Sequence, residues 1–380
     1  MLADADVIVV GGGPAGAMAA YQLAGQASVM VLERRRLPRE KTCSGLLSAK
    51  SMRLLSQLID LRPVLCGGFN ETRIGKGGMS ARHRHAPMWI ADRSQMDFAL
   101  LAAAARRGAR VEEEARVRRV WPEDGIVELT SGQRLRARAI VGADGATGVT
   151  SRALNGELPH HAVAMEARIH DPRPVADRPA IIDFAVPRGY FWAFPHGREV
   201  LAVGGGSADP RVFAQLRASL AGWVQQRIGS TGAQPLWHAY FVPFSGVRRL
   251  VAGRTLLAGD AGGLADPLLG EGIAYALWSG ALAAEVCARH LRGQVELSSY
   301  AGVVRGNISA FQKPLRLVSQ LPGAGTLIAL AVQPLSLRRL GWRKVVERCP
   351  QEFGFDLQSL WADDPGIGAL DVGSPADRVG

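Results

Sequence analysis

Cysteine is scarce: four among 380 residues, Cys43, Cys66, Cys287 and Cys349, widely spaced and never as CxxC. That spacing excludes a disulfide framework and fits free thiols in a reducing cytoplasm. No apolar run approaches the roughly 18 residues of a spanning helix, so none is expected. The start is apolar, but it carries Asp4 and Asp6 and lacks a basic n-region, so a signal peptide is not expected. Acid falls short of base, with 34 Asp and Glu against 45 Lys and Arg, a net charge of +11. Nucleic-acid binding is the obvious use of that surplus. The arginine clusters at 34–36, 106–107 and 338–339 are not interleaved with aromatics, however, so no nucleic-acid partner is expected. Solvated faces account for them, with contact to an anionic membrane or an acidic partner left open. Repeats are absent, and the lone HxH pair, His83 and His85, has no third ligand nearby. We expect an exposed polar loop there and no metal.

What the chain does have is glycine placed at three turns. Residues 6–33 read DVIVV-GGGPAG-AMAAYQLAGQ-ASVMVLE. A β-branched run ends in Gly11-x-Gly13-x-x-Gly16, a small-residue helix follows, and a second apolar run closes on Glu33. Strand, turn, helix, strand and acid stand in the register of a dinucleotide cradle. Gly11 permits the tight turn, Gly13 lets backbone approach a pyrophosphate, and Gly16 lets helix and strand pack closely. The helix start offers N–H groups and a positive dipole end to phosphate. Glu33 can accept hydrogen bonds from ribose hydroxyls.

Downstream, apolar spacing predicts a helix over 46–61, then short strands and loops over 67–90. A helix over 93–107 has Ser94 as its expected N-cap and Gly108 as its stop. Three short strands, 116–121, 126–130 and 134–137, precede an apolar strand ending in Gly142-Ala143-Asp144-Gly145. Ligands sit outside the carboxyl ends of such strands, which places Asp144 well. Between 157 and 247 the pattern turns to strands at 162–169, 180–186, 190–194, 200–204 and 236–241, with one helix over 212–227. Tyr190, Trp192 and Phe194 alternate on one face before Pro195. Core packing and a substrate wall both explain that face.

The second chemical stretch is 256–272: a buried strand ends in Gly259-Asp260, and Asp266-Pro267, Gly270, Glu271 and Gly272 shape a loop into a helix over 273–291. That much glycine is costly unless backbone must approach something. The tail, 297–380, reads as helices over 299–319, 326–332 and 337–348, followed by an aperiodic end. Its apolar 325–332 segment and the basic helix after it serve either as packing or as a membrane-surface patch.

Three glycine motifs, at 11–16, 142–145 and 259–272, around an inserted β domain resemble the flavoproteins typified by p-hydroxybenzoate hydroxylase. Within them the chain is similar to the geranylgeranyl reductase family. The family's P-x-x-K-x-C-G-G-like segment is here Pro38-Arg39-Glu40-Lys41-Thr42-Cys43-Ser44-Gly45, with serine at one glycine. Its Y-x-W-x-F-P is 190–195, its L-x-G-D is Leu257-Ala258-Gly259-Asp260, and its D-P-x-x-G-E-G-I is 266–273.

The resemblance implies an α/β fold: a Rossmann-type FAD-binding domain (1–66, 91–156 and 248–296), an inserted antiparallel β-sheet substrate domain (67–90 and 157–247) and a C-terminal helical region (297–380). It implies FAD, with Gly11, Gly13, Pro14, Ala15, Gly16, Glu33 and Arg34 toward the adenosine side. Cys43, Arg93 and Asp144 add contacts, Gly259 and Asp260 meet the ribityl–phosphate region, and Pro267, Gly270, Glu271, Gly272 and Ile273 meet the isoalloxazine. Cys43, Tyr190 and Trp192 are the catalytic candidates.

Only one dinucleotide fingerprint is present, since Gly204-Gly205-Gly206 precedes no matching βαβ unit. The reductant is therefore NAD(P)H bound transiently or a reduced electron-transfer protein such as a ferredoxin. The expected reaction is reduction of carbon–carbon double bonds of an isoprenoid-like or other apolar substrate by hydride from flavin N5. A monooxygenase hydroxylating an aromatic or a protein side chain through a C4a-hydroperoxide is the alternative, and a non-catalytic flavin-binding protein ranks third. The halogenase W-x-W-x-I-P is not present. The setting implied is cytoplasmic, with peripheral membrane contact open.

Overall fold

The structure is a computed structural model that describes residues 3–309, except 77–78, 175–177, 230–234, 245–248 and 268. Cys349 and the expected helices past 309 lie outside the described residues. β1 (Ala5–Val10) is nearly all buried, and α1 (Pro14–Leu23) follows a turn in which Gly11 takes φ +102°. β2 (Val29–Leu32) lies parallel to β1. The chain then leaves for β3 (Leu46–Leu47), α2 (Ala49–Ser56) and a long hairpin, β4 (Leu65–Lys76) and β5 (Met79–Ala91). It returns through α3 (Arg93–Arg106), β6 (Arg110–Glu112), β7 (Val117–Trp121) and β8 (Ile126–Leu129). β9 (Arg134–Gly142) and α4 (Val149–Asn155) follow. A second excursion holds β10 (His161–His170), β11 (Ala180–Asp183), β12 (Gly189–Pro195), β13 (Val200–Ser207), α5 (Phe213–Arg227) and β14 (His238–Pro243). β15 (Val251–Ala252), β16 (Thr255–Leu257), α6 (Ile273–Leu291) and α7 (Ser299–Val304) come last.

Two sheets result. The first runs β15-β16-β9-β1-β2-β6, with β7 and β8 joined through β9, and is parallel from β16 to β6. The second runs β14-β10-β13-β12-β11-β4-β5-β3. It is antiparallel except where β4 lies beside β11. One core packs α1, α3 and α6 on the first sheet. The small residues of α6 let it pack closely: a Cβ on Gly280 would overlap the Ala15 carbonyl of α1. In the second sheet, one face packs on α5 and the other carries Trp192, Phe194, Tyr190, Tyr240 and Ala164. The alternation of 190, 192 and 194 therefore marks a real face.

The structure corrects the sequence reading in four places. His83 and His85 sit in β5, not in a loop, and His85 Nε2 is 2.8 Å from Thr72 Oγ1 on β4. Cross-strand pairing with β4 makes a strand of a segment whose own composition is a poor strand former. The stretches 134–137 and 139–142 are one strand, which pairs with β8 early and with β1 and β16 late. Leu46 and Leu47 pair with β5, so the helix expected from 46 begins at Ala49, behind the Ser48 cap. The cap of α3 is Asp92, which accepts from Ser94 N at 2.8 Å and Gln95 N at 3.2 Å. Its carboxylate wins because it satisfies two amide donors and suits the helix dipole.

Candidate functional site

A cavity of about 660 Å³ opens where the carboxyl ends of β1 and β9 meet the second sheet. Its walls include Gly11, Gly13, Pro14, Ala15, Glu33, Arg34, Cys43, Arg93, Asp144, Asp260, Gly270, Gly272 and Ile273. These come from residues far apart in the chain, and each was named from the sequence. Gly16, Gly259, Pro267, Glu271, Tyr190 and Trp192 are not in its wall. Gly16 and Gly259 shape it from behind, since a Cβ on Gly16 would overlap Gly11 O and one on Gly259 would lie 3.0 Å from Ala15 Cβ.

Gly13 differs from its neighbours. Its φ is −78°, which any residue adopts, and a Cβ there would meet no protein atom nearer than Arg39 Nη2 at 3.8 Å. Protein packing does not require glycine at this position. A group filling the cavity at the start of α1 would. The cradle thus fits a dinucleotide phosphate, and the start of α1, which has no side-chain cap, turns amide donors toward it.

Glu33 is 3% exposed; it accepts from Gly12 N at 2.9 Å and Arg35 N at 3.0 Å, and pairs with Arg39 at 3.4 Å. Arg93 forks onto Asp97, 3.1 Å on each arm. Asp144 accepts from the Thr150 amide at 3.1 Å and from the Thr150 hydroxyl, which ties down the start of α4. Burial raises the Asp144 pKa against those hydrogen bonds. Lys41 is exposed to the cavity yet enclosed by protein; desolvation lowers its pKa, opposed by Asp260. Burial raises Asp260 in turn, opposed by Lys41 and Arg93. A facing ammonium and carboxyl with strained protonation suit a site awaiting an anionic or strongly polar ligand.

The 266–272 loop is held by one internal hydrogen bond and two outside anchors. Leu269 N donates to Asp266 Oδ1 at 2.7 Å, the Tyr190 hydroxyl donates to Leu269 O, and the Ser48 hydroxyl donates to Glu271. Tyr190 therefore braces the loop from the aromatic face. Burial lowers Lys50 to about 8, opposed by Glu271 and then Asp266. Cys43 is half-buried; its Sγ accepts from Gly45 N at 3.4 Å and its carbonyl accepts from Arg168 Nη2 at 3.0 Å. A Cβ on Gly45, at φ +74°, would overlap the Ala91 carbonyl, so this glycine is fixed even though Ser44 replaces the other.

Sequence reasoning missed part of the wall. Arg39, Lys41, Val163, Tyr240 and Val242 also line the cavity. Lys41 stood in the quoted P-x-x-K segment and was a readable signal. Val163 and the β14 residues carried none, because only strand pairing brings them here. Gly204-Gly205-Gly206, which precedes no βαβ unit, lies inside β13. A Cβ on Gly204 would overlap the Trp192 indole, and one on Gly205 the Phe191 ring. These glycines clear space for aromatic rings on opposite faces of the sheet. Among the described residues no group of three or more His, Cys, Asp or Glu is placed to hold a metal, and no helix is long and apolar enough to cross a membrane.

The family model described as an FAD-binding domain matches residues 4–180. Menaquinone reductase of Mycobacterium tuberculosis is 30% identical over 315 residues, 74% of this chain and 76% of the relative. Digeranylgeranylglycerophospholipid reductase 1 of Methanopyrus kandleri is 28% identical over 312 residues, 74% and 80% of the two chains. The crystal structure of a geranylgeranyl bacteriochlorophyll reductase-like protein from Thermoplasma acidophilum shares the fold, with a TM-score of 0.75, 21% identity, and 94% and 99% coverage. A glycine cradle with open space at Gly13, an FAD-binding domain match across it, and relatives of this kind over about three quarters of the chain together place it in the geranylgeranyl reductase family of FAD-dependent oxidoreductases.

Proposed function

We propose that this chain reduces carbon–carbon double bonds of an isoprenoid-like substrate. The observation that carries the reading is the junction in the cavity wall. Nucleotide-side residues Gly11, Gly13 and Glu33 share one cavity with Tyr240 and Val242 of the second sheet, and Gly270 and Gly272 lie there too. The relatives' names support the substrate class, since both refer to proteins acting on prenylated molecules.

Bound FAD supplies hydride chemistry. Gly11, Gly13, Pro14 and Ala15 hold its pyrophosphate, and Glu33 takes the adenosine ribose with lone pairs left over from its two amide donors. Arg34 flanks the adenosine. Arg93, Lys41 and Asp260 hold the ribityl–phosphate stretch, while Asp144 holds the β9 turn against it. Gly270, Gly272 and Ile273 present backbone to the ring, and Pro267 and Glu271 keep that loop in shape. The start of α6 adds its dipole. Cys43 and Tyr240 bound the substrate side and exclude water, with Tyr190 and Trp192 packed behind that wall. Electrons arrive from transiently bound NAD(P)H or a reduced carrier protein, because the other glycine run is accounted for by ring packing.

The test is anaerobic. The purified flavoprotein is photoreduced, then mixed with menaquinone or a geranylgeranyl lipid. Return of the oxidised flavin spectrum together with a saturated product supports the reading. Reoxidation that requires oxygen and yields a hydroxylated product sinks it in favour of the monooxygenase.

A further inference from the structure

One buried acid has no role in the account above. Glu166 of β10 is 3% exposed, on the same sheet face as Trp192 and Tyr190. Its Oε1 is 3.2 Å from Arg168 Nη1, and its Oε2 is buried with no hydrogen-bond partner. The Trp192 indole N–H is also buried and unpartnered. Both residues pair in register with Gly204, one from each side, so nothing stands between them. The indole N–H faces the carboxyl and pulls on it without closing a hydrogen bond, which leaves a buried acid under-satisfied in an apolar face, at a cost.

Tyr240 of β14 is the link to the cavity. Glu166 lies opposite His238, which makes Tyr240 its diagonal neighbour, roughly 7–8 Å away along the sheet and within reach of long side chains. Tyr240 lines the cavity, and Glu166 does not. Burial first, and then the Glu166 charge, raises the Tyr240 pKa well above its usual value, so the phenol stays protonated. Burial also raises Glu166 to about 7, against the opposing pulls of Arg168, Trp192 and Arg93. The charged and titratable groups around the pair are Arg168 on β10, Arg93 on α3, His238 on β14, Tyr190 on β12 and Cys43. Arg168 bridges two of them, Glu166 and the Cys43 carbonyl.

From this geometry we infer that Tyr240 and Glu166 are the proton-delivery pair of the reduction: Tyr240 protonates the substrate carbon and Glu166, behind it, restores the phenol. The inference rests on the reductase reading. In that reaction the carbon–carbon π bond breaks, and one carbon takes the hydride furnished with reduced FAD. The other carbon takes the phenolic proton as the Tyr240 O–H bond breaks. The phenolate recovers a proton from the Glu166 carboxylic acid, and the resulting carboxylate is reprotonated from solvent. The hydride carries both electrons, so the alkene is reduced and the flavin oxidised. Tyr240 is the catalytic residue, and Glu166 acts through it.

The experiment uses the full-chain flavoprotein and the variants E166Q, E166D and Y240F. Infrared difference spectra between about pH 5 and pH 9 need no substrate. A protonated-carboxyl band lost near pH 7, absent in E166Q and present in E166D, is expected. Anaerobic oxidation of the photoreduced protein by a geranylgeranyl lipid is then followed against pH. The wild-type rate should fall about tenfold per pH unit above 7, and Y240F should lose on the order of 100-fold or more. E166Q should be slow without that pH limb, and E166D should recover it. An intact limb in E166Q, or a limb that C43S removes instead, overturns the inference. A wild-type protein that shows the carboxyl band but reduces no prenyl lipid overturns the substrate reading on which the proton's destination rests. A missing carboxyl band overturns the pair whatever the substrate.

Discussion

Two glycine runs in this chain look alike and are used in opposite ways. Gly11-x-Gly13-x-x-Gly16 lies at the end of a parallel strand, where two glycines are forced by protein contacts and one is not. Gly11 sits at positive φ against Ala143, and Gly16 against Gly11 O, while Gly13 faces open cavity. Gly204-Gly205-Gly206 lies within an antiparallel strand, with Trp192 crowding one residue and Phe191 the next. A glycine beneath a ring speaks of packing, whereas a glycine before empty space speaks of a ligand. A sequence shows the residue but not what faces it.

The largest effect falls where backbone meets backbone. G16A drives a methyl into Gly11 O and the strand behind it, and we expect a loss on the order of 3 kcal/mol or more, read by chemical denaturation. A stable G16A would break the comparison at once. Next is E166Q. The folded pKa of Glu166, about 7, lies above the unfolded value, so the native state holds the extra proton between the two. Wild-type stability should therefore fall as pH rises from about 4.5 through about 7, by on the order of 3 kcal/mol, and level off above. E166Q should remove that slope; denaturation midpoints across pH decide it, and an unchanged slope assigns it elsewhere.

G204A comes third. Its methyl overlaps the Trp192 indole, which has to shift, at about 1–3 kcal/mol, with FAD content per chain unchanged. Loss of flavin in G204A would mean the second run is also a cofactor element. Smallest in stability is G13A, at less than about 1 kcal/mol. Its effect should appear instead in flavin affinity, weakened roughly tenfold or more in a fluorescence titration. Equal affinity in G13A and wild type would remove the argument from open space.

The elements that line the cavity were legible where their order in the chain is local. β1, the glycine turn, α1 and β2 follow one another within thirty residues, so Gly11, Gly13, Gly16 and Glu33 could be named. The α6 boundaries, Ile273 and Leu291, followed from a glycine loop and a largely apolar helix rich in small residues. Single elements were less legible when a partner decides them. β9 is one strand because β8, β1 and β16 pair along it in turn. β5 is a strand because β4 lies beside it, despite its Arg and His content.

By itself the sequence determined the nucleotide cradle, the acid after the second strand, the glycine loop before α6 and the fold class, since each depends on short-range turns, periodicity and backbone sterics. Which residues meet across the cavity depends on how the two sheets come together. The tertiary structure brought Lys41 to Asp260, set Tyr190 as a brace for the 266–272 loop, turned Gly204 into a clearing for Trp192, and placed Glu166 diagonal to Tyr240. Strand register fixes which side chains share a face, and register is set by pairing between distant segments, such as Glu166 with His238 and Ala5 with Ala137.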